Sequence, residues 1–379
     1  MCETAAVPEP EADVSGHRIA PAHYAFPVLA LGLALALIVW PDLAPENHGP
    51  AATALSLLAT VLLAGAAFAT VAHSDVVASR LGQPFGTLVL TLSVTVIEVS
   101  VIASLMLYQE NNPTLARESV LSVIMIVTSG IVGLCLLLGG FKHREQEIAQ
   151  QGVTGYLSVI IALGVMLLIL PNETHAHTRG TFTPFQLVYM AFVSIGLYCL
   201  FLYMQTVRYA EHFGAQQPGH GSGMPDGRRF TVALVMLLLS LGAVVALARH
   251  VAAGVETFLG QFQLADPDAV KGALLAALVL MPEGISAVRA AARNHLQHSL
   301  NIALGSVLAT IALTIPAMAA ISIYIGKPMV LGLDPEDRTL MVLTFVLCIL
   351  SFGTGRTNAL TGIVHLIVFV VYVMLLFVP

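Results

Sequence analysis

Charge is what this sequence has least of. Its 16 Lys and Arg and 22 Asp and Glu make up 10% of 379 residues, where an ordinary soluble domain carries about 25%. So few charges cannot cover a water-facing surface of this size, which excludes a typical soluble enzyme and a disordered chain. A basic excess is also missing: the net charge of −6 leaves no footprint for nucleic acid. Cysteine is scarce. Cys2, Cys135, Cys199 and Cys348 show no C-x-x-C or zinc spacing, and they read as buried free thiols, small hydrophobes in apolar runs. No phosphate-cradling G-x-x-x-x-G-K-[ST] is present, nor H-E-x-x-H, G-x-S-x-G or a Gly-Tyr-Gly filter. An ATP-driven pump, a membrane protease, an esterase and a potassium pore all lack their motifs.

Long apolar runs are what the chain has instead, with 57% hydrophobic residues. A helix needs about 20 of them to cross hydrocarbon. Eleven candidates follow one another, at 24–42, 51–73, 85–107, 118–140, 153–171, 184–207, 229–248, 269–292, 299–325, 338–353 and 358–378. The second and seventh are expected to continue as helix to about Leu81 and Phe262. The runs are too long for strands and lack period-2 alternation. Residues 1–23 carry Glu3, Glu9, Glu11 and Asp13 and read as a disordered tail, without the basic start of a signal peptide. The expected fold is an all-α polytopic membrane protein.

Residues 208–228 hold Gly214, Pro218, Gly219, Gly221, Gly223, Pro225 and Gly227, the composition of a flexible linker. It separates two five-helix halves, 51–207 and 229–379, behind an extra leading helix at 24–50. Five is odd, so the halves enter the membrane in opposite senses, as in inverted-repeat transporters. Leu81-Gly82-Gln83 and Leu259-Gly260-Gln261 close matching helices in the two. With the N-terminus in the cytoplasm, ten Lys or Arg fall inside, among them Arg80, Lys142, Arg144, Arg228, Arg229, Arg289, Arg293 and Arg356. Six fall outside: Arg117, Arg179, Arg249, Lys271, Lys327 and Arg338. The positive-inside rule then orients the chain N-in, C-out.

Each half has one acidic residue near the middle of an apolar helix, Glu98 and Glu283. A carboxylate there costs roughly 3 kcal/mol or more and marks an ion or proton path. Two such carboxylates suit a hard divalent cation, which takes six to eight oxygens and competes with about two protons for them, or a monovalent ion against fewer. Thr95 and Thr91 share the Glu98 face. Pro282 is expected to break the helix beside Glu283 and to free the carbonyl of Leu278. Asn301, Gly305, Ser306 and Thr310 form a small polar face in the next helix, and Glu118 to Ser122 repeats the step from Asn301 to Gly305. Glu118 is thereby a third acidic candidate near the outer mouth, with a plain interfacial charge as the alternative. Asp75 reads as a vestibule charge or a solvated one, Arg249 and His250 as snorkelling outward, and Arg289 and Arg293 as topology anchors. His143, His175, His177, His212 and His220 read as loop residues.

At the two glutamates the sequence resembles the calcium/cation antiporter superfamily, in its bacterial calcium/proton (sodium, potassium/proton) branch. The run Gly82-Gln-Pro-Phe-Gly-Thr-Leu-Val-Leu-Thr-Leu-Ser-Val-Thr-Val-Ile-Glu98-Val is similar to that branch's first repeat. Pro282-Glu-Gly-Ile-Ser-Ala-Val-Arg-Ala-Ala-Ala-Arg-Asn294, continued by Asn301-Ile-Ala-Leu-Gly-Ser306 and Thr314-Ile-Pro316, is similar to the second. The resemblance implies a central site with Glu98 and Glu283 as cation and proton ligands. Its cargo would be Ca²⁺, or Na⁺ and K⁺, against H⁺, with no prosthetic cofactor. Many relatives have Gly-Asn-Ala-Thr/Ala-Glu at these positions. Here Val94-Thr95-Val96-Ile97-Glu98 and Leu280-Met281-Pro282-Glu283 lack both amides, so Thr95, Ser306, Asn301, backbone carbonyls and water become the expected supplement. The acidic helix of some relatives is missing from 208–228. Lipid is the expected surroundings, in a bacterial inner membrane, with a monomer as the default. A cation channel and an intramembrane enzyme are the other classes open at this point, and the inverted halves argue against both.

Overall fold

The computed structural model describes residues 20–40, 50–82, 85–108, 113–174, 178–213, 226–264 and 266–378. Helices dominate. In the order of the chain they are α1 (Ala22–Val39), α2 (Pro50–Leu81), α3 (Phe85–Tyr108), α4 (Leu115–Met125), α5 (Val132–His143), α6 (Gln150–Gly164), α7 (Pro184–Tyr203), α8 (Gly227–Leu259), α9 (Pro267–Ala292), α10 (Leu296–Ala309), α11 (Ile315–Ile325), α12 (Pro335–Phe352) and α13 (Ala359–Phe377). A π turn, Ile126–Ile131, joins α4 to α5 into one rod, and a second, Thr310–Thr314, joins α10 to α11. Among the described residues, ten helical segments are long and apolar enough to cross a membrane. The helix α12, whose start carries Glu336, Asp337 and Arg338, covers the remaining expected span. In lipid every backbone polar group must be satisfied internally, which is why runs of this length fold as helices.

Local signals fix the helix ends. Thr183 and Gln186 form a capping box on α7, with Pro184 in the first turn. Asp266 accepts from Asp268 and Ala269 at the start of α9, and Asn358 accepts from Thr361 at the start of α13. Gly326, at φ 69°, takes the left-handed position that ends α11.

Cross-chain contacts sort the helix ends onto two faces. At one, β1 (Glu145–Glu147) pairs antiparallel with β2 (Arg356–Asn358), Gln146 opposite Thr357. Gln146 also donates to Asn294, and Lys142 to the Ala292 carbonyl. At the other face the segment 327–334 straps the halves together: Val330 N–H to Pro113, Leu331 and Gly332 N–H to Gly180, Leu333 N–H to Leu168. These pairings place the end of α5 and the end of α9 on one face, and the start of α4 and the end of α11 on the other, so the rods α4–α5 and α10–α11 run in opposite directions.

The long helices α2 and α8 pack on one another with α1 and α3 alongside. Small residues permit the approach: Ala59, Ala66, Ala243, Ala248 and Ala252 are all buried, and a Cβ on Gly254 would overlap Ser56. Association of helices in lipid rests on such packing. The remaining bundle is built around α4, α5, α9 and α10, with α13 pressed on α5. There Gly362 lies so close that an added Cβ would fall 2.4 Å from the Leu137 nitrogen.

Several expectations need correction or placement. The α9 helix runs unbroken through Pro282; the missing N–H costs one bond, and the packed neighbours hold the helix on either side. His250 is buried rather than snorkelling, because α8 continues to Leu259 and packs its His250 face inward; Arg249 beside it is exposed. Cys135 and Cys348 are buried free thiols, but Cys199 is exposed on α7. The acidic tail apart from its last residues, the bulk of the 208–228 linker, Cys2, His175, His177 and His220 lie outside the described residues.

Candidate functional site

Glu98 lies near the middle of α3 and Glu283 just past the middle of α9. Packing buries one carboxylate more fully than the other: Glu98 is 5% exposed, and Glu283 is half-buried in a crevice between α9, α10 and the first π turn. The rod α10–α11 reaches both. Ser306 Oγ donates to Glu283 Oε2 at 2.7 Å. One turn further, Thr310 Oγ1 donates to Glu98 Oε2 at 2.9 Å, and Thr314 Oγ1 donates to the same oxygen at 2.9 Å. Ser306, Thr310 and Thr314 are spaced by four, so they form one stripe on one helix face. The rise from Ser306 to Thr310 is about 6 Å. A single hydroxyl stripe from the second half thus spans both carboxylates, one from each half.

The other oxygen of Glu98 points elsewhere. Oε1 is buried with no hydrogen-bond partner among the described residues, and so is Ser119 Oγ. Both line one small cavity between α3, α4 and α9, closed by Val101, Ile102, Val123, Leu275 and Val279. It has room for about one water molecule. An unpaired buried polar atom costs about 1–3 kcal/mol, and a single polar guest the size of water in this cavity would offer both oxygens a partner. Gly272 brings α9 close to α4 beside the cavity: a Cβ there would lie 2.9 Å from the Ser119 nitrogen. The crevice at Glu283 is lined by Val127, Ile131, Leu280, Ala287, Ala303 and Ser306 and is too tight for water.

Glu98, Glu283 and Ser306 are therefore brought together, and Thr310, Thr314 and Ser119 join them. Thr95 is buried one turn before Glu98, but the hydroxyls on the Glu98 carboxylate come from the other half. Asn301 is engaged away from both glutamates: its amide donates to the Phe213 carbonyl at 2.6 Å and accepts from Gln297 at 3.0 Å. Leu278 is half-buried one turn before Pro282, and its carbonyl has no donor at the Pro282 position. Asp75 is exposed.

Glu118 is buried, but it is paired. Arg117 Nε donates to Glu118 Oε1 at 2.7 Å, and the same guanidinium reaches Asp334 and the Gly332 carbonyl. Oxygens of Glu118, Asp334 and Asp337 lie within 4.8 Å of one another, a spacing that could hold a cation. The Arg117 charge already occupies that neighbourhood and joins α4 to the 327–334 strap.

The sodium/calcium exchanger protein family matches residues 51–207 and 232–378. The chain is 40% identical over 353 residues to a putative ionic transporter, y4hA, of Sinorhizobium fredii, covering 92% of this chain and 94% of that one. It is 37% identical over 360 residues to the sodium-potassium/proton antiporter ChaA of Escherichia coli, covering 93% and 95%. Its fold superposes on the structure of native YfkE with a TM-score of 0.71 at 17% identity, covering 94% of this chain and 100% of that one. These likenesses span nearly the whole chain and involve ion transporters, not enzymes. With ten apolar helices of spanning length among the described residues and this family match over both segments, the protein is a multi-pass membrane member of the sodium/calcium exchanger family.

Proposed function

We propose that this protein is a secondary antiporter that exchanges Ca²⁺ for protons at the Glu98–Glu283 site. The observation that carries the reading is the hydroxyl stripe of Ser306, Thr310 and Thr314 across two carboxylates from opposite halves, one buried and one half-buried. Two carboxylates balance one divalent ion or two protons. The hydroxyls, Ser119 and the Leu278 carbonyl supply neutral oxygens, enough for the six to eight that Ca²⁺ requires. They take the place of the two amides that the sequence lacks. Protons and cation then compete for the same oxygens, and competition becomes exchange if the protein turns over only when loaded.

The halves 51–207 and 229–379 act as inverted exchanger repeats about this site, joined by the 208–228 linker. The ribbon face, with Lys142, Arg144, Arg289, Arg293 and Arg356, is the cytoplasmic one, in a bacterial inner membrane. The N-terminus is then inside and the C-terminus outside. Alternating access would come from the α1, α2 and α8 group sliding or rocking against the rest, carrying the two midplane glutamates from one side's access to the other's. One chain contains the whole site, so a monomer suffices.

A second reading has a specific observation behind it: ChaA, alike over 93% of this chain, is named a sodium-potassium/proton antiporter. On that reading the same carboxylates hold Na⁺ or K⁺. Purified protein in acid-loaded liposomes with an internal pH dye separates the two. Collapse of the gradient by external Ca²⁺ supports the first reading, and collapse by Na⁺ or K⁺ alone supports the second. A folded protein that releases protons for none of them contradicts both.

A further inference from the structure

Of the four π turns among the described residues, the two inside the rods α4–α5 and α10–α11 are each held by a buried side chain that touches neither glutamate. A π turn widens the backbone ring to i→i+5 and disturbs the carbonyl pairing of an α-helix. In the first, Ile126–Ile131, the carbonyl of the third residue, Thr128, accepts from His365 Nδ1 of α13 at 2.9 Å. In the second, Thr310–Thr314, the carbonyl of the third residue, Ala312, accepts from Ser194 Oγ of α7 at 3.1 Å. Ser194 and His365 are both fully buried. The donor helices α7 and α13 are the fifth of their respective halves, and each reaches across to the π turn of the other half. A carbonyl only accepts, so Nδ1 of His365 carries a proton. Its Nε2 meets Ser351 Oγ at 2.9 Å. The approach depends on glycine: a Cβ on Gly133 would meet the His365 Cβ at 3.0 Å.

We propose that Ser194 and His365 are positioning residues that pin the two π turns from opposite halves, and that the Ser194 pin sets Thr310 and Thr314 on Glu98. Ala312 stands between those two threonines in the chain. Fixing its carbonyl fixes the pitch of the turn, and the pitch decides whether both hydroxyls reach one carboxylate oxygen. A regular α-turn would rotate Thr314 relative to Thr310 by a different angle. Ser194 touches neither glutamate and acts only through this backbone. The His365 pin holds the corresponding turn in α4–α5, where it orients the α4 side of the Glu98 cavity. The functional part of the inference rests on Glu98 being a cation ligand.

The test uses the full chain in proteoliposomes and in detergent. Ser194→Ala should raise KM for the exchanged cation roughly three- to tenfold, the worth of one buried neutral hydrogen bond, with kcat little changed. Ser194→Thr, which keeps the hydroxyl, should restore the wild-type KM. Hydrogen exchange of the peptide over 306–316 should quicken in Ser194→Ala and not in Ser194→Thr. His365→Leu should quicken exchange over 126–133, while His365→Asn, which keeps a donor near the Nδ1 position, should not. Unchanged KM and unchanged exchange in Ser194→Ala overturn the pin, as does a Ser194→Thr as impaired as the alanine variant. Glu98→Gln serves as the separate control: if it transports normally the site reading fails, whereas an inert Glu98→Gln beside an unaffected Ser194→Ala leaves that reading standing and removes the pin alone.

Discussion

The rods α4–α5 and α10–α11 occupy matching places in the two halves, and both carry a π turn near their middle. Their hydroxyls face different ways. In α10–α11, Ser306, Thr310 and Thr314 turn to the glutamates. In α4–α5, Ser122 meets Tyr372 and its own helix at Glu118, Ser129 meets Thr344, and Thr128 bonds back to Ile124. Only Ser119 of that rod faces the Glu98 cavity. The two rods match in outline and differ in chemistry. One turns three hydroxyls to the glutamates, while the other offers Ser119 alone and ties its remaining hydroxyls to α12, α13 and its own backbone.

That division can be broken by substitution. The largest effect belongs to the glutamates themselves. Glu98→Gln and Glu283→Gln should each reduce exchange by on the order of a hundredfold or more, since a hard cation loses an anionic ligand, while membrane insertion and folding persist. Flux in liposomes at matched protein content checks this, and sustained transport in either variant would remove that residue from the mechanism. Next come Thr310→Val and Thr314→Val, which keep shape and remove the hydroxyl. Each should weaken apparent cation affinity by about tenfold without a matching loss of stability. Contacts of the other rod should behave oppositely. Gly362→Ala, on α13, places a Cβ against the Leu137 nitrogen of α5 and should cost about 1–3 kcal/mol of stability, seen as a lower Tm. Ser122→Ala should cost about 1 kcal/mol and leave cation affinity at the wild-type value. A Ser122→Ala variant with the affinity loss of Thr310→Val would erase the distinction between the rods.

The sequence made one kind of information plain and concealed another. Spans were legible because hydropathy over about 20 residues is a property of the run itself. Glu98 and Glu283 stood out because a carboxylate inside such a run is too costly to keep unless it serves an ion or proton path. The hydroxyl partners of the two glutamates were less visible. Ser306, Thr310 and Thr314 repeat every four residues, a signal that was available, yet hydroxyls also cap, kink and bond back to their own helix, as Ser122 and Thr128 do. Which way a stripe turns is decided by the packing of another half of the chain. Asn301 illustrates the same limit: it sits one turn before Gly305 on the expected face, but the Phe213 carbonyl takes its amide. Pro282 was read as a break from its missing N–H, while the bundle around α9 keeps that helix continuous. Glu118 looked like a third site carboxylate, and its pairing with Arg117 became visible only with the 327–334 strap in place.

The central claim is that protons and cation share the oxygens of Glu98 and Glu283. The most direct measurement is proton release on adding Ca²⁺, Na⁺ or K⁺ to purified protein in weakly buffered detergent, followed with a pH dye. The account predicts a saturable release in the wild type, larger cation requirements as the pH is lowered, and little or no release from Glu98→Gln or Glu283→Gln. Release of the same size from both variants would contradict it.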